Sequence, residues 1–546
     1  MQALARLALG IVVIVFVAAP LVFGREGDVS NSDVAFIATT ESTPTIAAPA
    51  GSSRHPADDR FEWPVYGFTK SRTHHLPLNV TPRPPYDQAW AHRGKVLLEF
   101  APVLCGRKVY LLKNNAALYA LSRRSGRARW KRRLGELAAS SPACSHGVIY
   151  AVVLQRTRKS KGGRVVAVSA KNGRTLWSRK LPSRAESSPL IDRGRLFFGT
   201  EDGTVYSLRA KDGDLRWTYK AKGAVKGALA LDAGKLYFGD YGGHVQAIRR
   251  SNGHKVWRVK ADKRPLGLGD GNFYSSASVS YGRVYIGSTN GNVYSFSSAD
   301  GKLAWRKRTG DFVYASPAVG QAGGAGPTVY IGSYDGRFYA LDARSGRPRW
   351  VRHLGKKISG AATIVGDLVF VSDLAKHTTW ALGAKTGQTS WKTNRGGFNP
   401  VISDGRRIYF AGFTSLFALD HVDRPFEPKA KGDGKKGKQP RQRRSRAAEL
   451  RAARSARRAA QRVTRARTAR RARVARRVRA TRRAAARARA QAERQRKFTS
   501  APHGHRHARR KGQPPPRCHR HRHVYNVRGK TIVLVHNHCH THVRRR

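Results

Sequence analysis

The chain has 546 residues, 40% of them hydrophobic, enough for one large core and several accessory segments. Its formal charge is +72, and residues 421–546 hold 42 of the 105 Lys and Arg but 5 of the 33 Asp and Glu, so body and tail are both basic. Such a field favours polyanionic partners and leaves the fold open, while four cysteines without a CxxC exclude a disulfide-dense scaffold.

The first element is an unbroken small and apolar run from Leu7 to Gly24, with Arg6 before it and Arg25 and Glu26 after it. That length is near the minimum for a membrane span and long for a signal-peptide core, and Pro20 after Ala19 weakens a cleavage site. Residues 1–24 are therefore expected to be a signal anchor and transmembrane helix. The charges on either side place the N-terminus inside and the rest of the chain outside the cell membrane. A cleaved signal, giving a secreted protein, and a buried helix are the alternatives. Residues 25–60, rich in Ser, Thr, Ala and Pro with no apolar period, read as a flexible stalk.

Residues 61–424 carry an internal repeat. Tryptophans fall at Trp90, Trp130, Trp177, Trp217, Trp257, Trp305, Trp350 and Trp391, and a glycine stands four residues before each of the last seven. Chance does not supply that pattern when glycine makes up 54 residues in 546. The unit ending at Trp350 shows an apolar strand, then VYIGS, a DG turn, RFYALDA, an SG turn and a strand bearing the tryptophan. Four short strands bounded by turn residues, with one face no unit can bury alone, predict blades of a β-propeller. Seven units are complete. The last, Asn399–Asp420, stops after three strands, and the orphan strand around Trp90 supplies its fourth. The expected fold is thus all-β: an eight-bladed β-propeller whose N-terminal strand closes the last blade. The eight tryptophans are assigned to packing between blades, and Trp380 also to the core.

Ala340–Trp350, with the pattern AxDxxSGxxxW, resembles the tryptophan-docking signature of the pyrroloquinoline-quinone-like repeat family, and FEWPVYGFTKSRTHHLPL from Phe61 looks like the family's lead-in segment. The resemblance spans about 360 residues. It implies a propeller that is either a quinone-dependent dehydrogenase or a non-catalytic scaffold similar to the outer-membrane assembly factor B. Dehydrogenases of the family carry adjacent cysteines over the quinone, and Glu, Asn and Asp ligands for Ca²⁺. No Cys-Cys dipeptide occurs here, and acids such as Asp202 and Asp335 fall in turns. No catalytic residue and no propeller cofactor are expected.

Cys105 and Cys144 occupy nearly equivalent places on the first strands of successive blades, so they form either a disulfide between blades or two buried thiols. Beyond a linker at 425–440, residues 441–497 are largely Arg and Ala and read as a long helix with arginine on every face. Outside a cell its partners would be anionic lipid or wall polymers; nucleic acid is disfavoured there, and a solvated spacer is the alternative. A second linker spans 498–516. Residues 517–543 read as a β-hairpin around Arg528-Gly529, in which Cys518 opposes Cys539, His519 opposes His538 and His521 opposes His536. The cysteines would sit within disulfide range. The four histidines suit Zn²⁺, Cu²⁺ or Ni²⁺, or simply make the hairpin more cationic below about pH 6.5.

The sequence thus points to a membrane-anchored extracytoplasmic propeller acting as a binding scaffold, with other proteins engaged at its rim or channel. A quinoprotein dehydrogenase and a nucleic-acid-associated protein are the competing readings.

Overall fold

A computed structural model describes residues 28–38, 61–155, 162–261, 271–398, 401–422, 519–527 and 530–538. The chain divides into two units, Met1–Pro428 and Lys429–Arg546. The apolar run 7–24, the Arg/Ala-rich segment 441–497 and both linkers lie outside the described residues.

In the first unit, eight four-stranded antiparallel arrays follow one another as blades of a propeller. Blades 1 to 4 span Val103–Arg133, Ala143–Leu181, Leu190–Lys220 and Ala230–Lys260. Blades 5 to 7 span Ser278–Arg308, Ala318–His353 and Thr363–Thr393. Blade 8 combines three strands within Ile402–His421 with the outermost strand Tyr86–His92. The expected closure is present: Trp90 pairs with Ala418, so the ring is shut by its own first long strand. Among the described residues there is no helix.

All eight indoles occupy one register. Each faces an Ala or Ser on the third strand of its blade, as Trp130 faces Ala120 and Trp305 faces Ser295. Seven of them lie over the glycine of the next blade's last turn. A Cβ on Gly346 would stand 2.7 Å from the Trp305 ring, and one on Gly213 2.7 Å from Trp177. The glycine four residues before each tryptophan therefore receives the previous blade's indole, besides supplying the positive φ of its own turn (+73° at Gly346). The same turn offers a carbonyl to the indole N–H: Trp305 donates to Ala343 at 3.0 Å and Trp350 to Ala384 at 3.0 Å. Tyr285 and Tyr330, on the second strands, donate to those same carbonyls. Trp391 has no such turn ahead of it, because the outer strand of blade 8 comes from elsewhere in the chain. It packs edge-on against Tyr86 of that strand, with ring centres 5.3 Å apart.

Residues 28–38, expected to belong to a flexible stalk, are instead ordered on blade 5. Val29–Ser30 adds a fifth strand outside Leu303–Arg308, and Asp28 pairs with Lys307 at 2.5 Å. Val34 is buried, and the Arg283 guanidinium donates to the carbonyls of Val34 and Ala35. The covered edge would otherwise present unpaired backbone groups.

In the second unit, His519–Val527 and Lys530–His538 form a two-stranded antiparallel sheet. Its register is the expected one, with His519 opposite His538 and His521 opposite His536. Cys518, Cys539 and the turn residues lie outside the described residues.

Candidate functional site

The innermost strand of every blade is an edge whose N–H groups point at the propeller axis and need acceptors. Phe61–Leu76 supplies them by threading past all eight blades. The middle residues of six innermost strands donate to this segment's carbonyls: Leu104 to Trp63 (3.0 Å), Cys144 to Pro64 (2.8 Å), Leu231 to Lys70 (2.8 Å), Val279 to Ser71 (2.9 Å), Val319 to Thr73 (2.9 Å) and Ile364 to His74 (2.8 Å). Blade 8 receives the Phe61 ring over Gly405, and blade 3 is reached by Lys70, whose ammonium lies 2.6 Å from Asp192. The segment is a plug, closing the channel at the end where the first turn of each blade lies.

Arg72 is the plug's centre. It is fully buried, and its guanidinium donates to the carbonyls of Leu229 (2.9 Å), Ser188 (3.2 Å), Pro189 (3.3 Å) and Tyr66. Burial lowers its pKa to about 9. His74 packs edge-on against Tyr66, and burial first, then Arg72, lowers it to about 3; burial alone lowers His75 to about 4. Both are neutral imidazoles near neutral pH. Cys105 and Cys144 form a disulfide at this same end, joining blades 1 and 2 with their Cα atoms 6.7 Å apart.

The opposite end is a mouth built from one recurring position, two residues before the pair that leads into each innermost strand. From blade 1 to blade 8 it holds Glu99, Ala139, Glu186, Lys226, Tyr274, Tyr314, Ser359 and Gly397. Around it stand residues of the second turn in each blade, among them Asn114, Glu201, Tyr241 and Tyr334. A repeated main-chain bond sets them in place: Glu201 donates to Arg184, Tyr241 to Ala224 and Tyr334 to Phe312.

These side chains divide the mouth in two. Tyr241, Tyr274, Tyr314 and Tyr334 form an aromatic arc over blades 4 to 6, with successive ring centres 6.4, 5.8 and 4.8 Å apart. The Lys357 ammonium lies 5.2 Å from the Tyr334 ring centre, and Lys226 lies 5.5 Å from that of Tyr241. Facing the arc are carboxyl groups. Lys226 reaches Glu186 at 3.2 Å and Glu201 at 3.0 Å, and Glu99 accepts from Asn114 at 2.8 Å. Burial outweighs the pull of Lys226 and raises Glu186 to about 7, with the Glu201 carboxylate adding to the rise. Burial also raises Tyr274 well above the usual phenol range, and the charges of Glu186 and Glu99 reinforce it. Tyr66 of the plug rises to the floor of this well and bonds Ser316 at 3.2 Å. The arrangement can stack a flat or apolar group on the arc and hydrogen-bond it through phenols and carboxyls.

Within the first unit, the tryptophans and cysteines singled out in the sequence do not line this mouth. The eight tryptophans lie toward the outside of the blades, and Cys105–Cys144 is at the plugged end. The mouth position could have been found by aligning the repeats on their Ser-Pro pairs, such as Ser188-Pro189 and Ser316-Pro317, and reading two residues back. Among the described residues no three His, Cys, Asp or Glu side chains converge as metal ligands. The donor set does not match the quinone and Ca²⁺ site that the resemblance implies for dehydrogenases. The disulfide joins residues 39 apart in sequence, not neighbours, and Glu186 and Glu201 share an ammonium.

The sequence profile of the family described as outer membrane protein assembly factor BamB matches residues 114–273, 161–393 and 290–504. The chain belongs to this BamB family. No curated protein sequence matches it. BamB from Moraxella catarrhalis is similar in structure, with 18% identity over 61% of this chain and 99% of that one and a TM-score of 0.50. Quinohemoprotein alcohol dehydrogenase ADHIIG from Pseudomonas putida HK5 is similar at 15% identity, 74% and 87% coverage and a TM-score of 0.56. A europium-containing methanol dehydrogenase gives 12%, 67% and 99%, and 0.54. At such identities the likeness is one of fold, shared by a BamB and by dehydrogenases alike.

Proposed function

We propose that the protein is a non-catalytic binding scaffold, held on the outer side of a cell membrane, that engages a protein partner at the aromatic mouth of its plugged channel. The observation that carries this reading is the mouth itself. It is a well closed from below by Phe61–Leu76, in which Lys226 bridges the carboxyl groups of Glu186 and Glu201. Such a site offers surface for an apolar or aromatic side chain inside a polar rim, the usual anatomy of a binding hot spot. BamB-family membership agrees with it. The apolar run 7–24 and the acidic flank after it support the anchored topology.

The tail extends the proposal. The cations of 441–497 favour anionic lipid or wall polymers. The facing pairs His519–His538 and His521–His536 have the backbone spacing for Zn²⁺, Cu²⁺ or Ni²⁺. Changing all four histidines to Ala should lower the metal content of purified protein; equal content in both forms would remove the metal site.

The dehydrogenase alternative is tested by titrating the full chain with pyrroloquinoline quinone and Ca²⁺ while following dye reduction. The scaffold reading expects no turnover, and stoichiometric quinone binding with dye reduction would overturn it. Fractionation with external protease tests the topology: the propeller and tail should be cut from outside intact cells.

A further inference from the structure

The segment docked on blade 5 begins at Asp28, and the apolar run ends at Gly24. Residues 25–27 are all that separates them, so the docked strand starts within about 14 Å of the end of that run even if the connection is fully extended. The headgroup layer is itself about 5–8 Å deep on each side of the hydrocarbon. A stalk of 36 residues would let the ring turn freely, whereas a strand paired to Trp305 and Arg306 and an ion pair at Lys307 do not.

We propose that residues 28–37 clamp the outer edge of blade 5 to an anionic bilayer, so that the ring stands with this side against the lipid and blade 1 farthest from it. This rests on the membrane-anchored reading above. The surface that would face the headgroups is suited to them. Val29 and Ile37 remain 38% and 53% exposed on the clamp, and Val351 is 39% exposed on the outer strand of blade 6. Lys255 on blade 4 and Arg344 and Arg347 on blade 6, the two blades that flank blade 5, are exposed as well. Charge alone would not choose this side. The outer strand of blade 1 exposes Arg129, Lys131, Arg132 and Arg133 and is the more cationic edge. The tether decides, because it fixes blade 5 within a screening length of the surface whatever the other blades carry.

The contrast gives the test. The full chain is reconstituted in phosphatidylglycerol–phosphatidylcholine vesicles, with a photo-crosslinking amino acid replacing Lys255, Val351 or Arg132 one at a time. Flotation after a high-salt wash, which strips protein held by charge, reports the anchor. Lipid labelling should be several-fold higher at positions 255 and 351 than at 132. The double variant Asp28→Lys/Val34→Asp removes the ion pair and puts a charge where Val34 is buried, while changing no residue of the eight blades. It should float as before and lose the contrast. Flotation with equal labelling, or with labelling strongest at 132, overturns the orientation and leaves the anchor standing. Failure of the wild-type chain to float overturns the anchored reading and this proposal with it.

Discussion

The two ends of the propeller channel are held by different kinds of interaction. At the plugged end, the contacts are mostly between main chains: six innermost strands donate to consecutive stretches of Phe61–Leu76, and Arg72 meets only carbonyl oxygens. Six blades meet the plug through the same main-chain bond, whereas blades 3 and 8 meet it through the Lys70 and Phe61 side chains. At the mouth, the same structural position holds Glu, Ala, Lys, Tyr, Ser or Gly depending on the blade. One end secures the ring, and the other gives it a chemically asymmetric surface. Symmetry of the backbone is thus compatible with specificity, because closure rests mostly on main-chain bonds and the side chains at the mouth can differ from blade to blade.

The contrast can be broken most severely at the disulfide. Replacing Cys105 and Cys144 by Ser opens a loop of 39 residues and should cost about 4 kcal/mol on the chain-entropy estimate, read as a lower midpoint in guanidinium unfolding. An unchanged midpoint would show that the plug alone secures blades 1 and 2. Next comes Arg72→Met, which leaves four carbonyls without their donor and should destabilise by about 2–4 kcal/mol. Tyr334→Phe, at the mouth, should change stability by less than about 0.5 kcal/mol. Comparable losses in the two variants would erase the distinction between the ends.

The blade-to-blade joint offers a sharper pair. Gly346→Ala drives a methyl into Trp305 at a φ of +73° and should cost about 2–3 kcal/mol, measured by urea unfolding. Gly106→Ala, at φ +53° with nothing within 4 Å of its Cβ, should cost only the conformational strain, about 1–2 kcal/mol.

The two ends also have opposite signs in their pH dependence. His74 and His75 have native pKa values of about 3 and about 4, below the ordinary 6.5. The unfolded chain therefore binds more protons, and stability is lost as pH falls from about 6.5 toward 3. Glu186 is raised from 4.5 to about 7, so its contribution is present below pH 4.5 and is lost as pH rises through 7. Thermal unfolding of His74→Leu should show a shallower acid limb, and Glu186→Gln a shallower decline between about pH 4.5 and 7. A Glu186→Gln profile that matches wild type would mean that Lys226 fully compensates the carboxylate.

Much of the propeller was legible in advance. Tryptophan and glycine recur because every blade must solve the same packing problem, and a repeated solution leaves a period in the sequence. The missing fourth strand of blade 8 could be inferred from counting alone, and so could the hairpin register His519–His538. The plug was not legible as a plug. Phe61–Leu76 bonds through carbonyls, which every residue has, so no composition or spacing marks it. The docking of residues 28–38 was hidden for the same reason: two residues of edge pairing and one ion pair leave no pattern, and the surrounding Ser, Thr and Pro suggested a loose chain. The mouth leaves no period in the sequence, because its defining position varies from blade to blade while the repeat consists of what stays constant.

Sequence alone therefore determined the blade number, the ring closure and the packing role of the indoles between blades, because these follow from periodic residue types that local geometry cannot place otherwise. Tertiary structure alone decided which end of the channel is shut and which side chains share the open end. Those outcomes depend on unpaired backbone groups finding acceptors far away in the chain, and on residues from different blades converging around one axis.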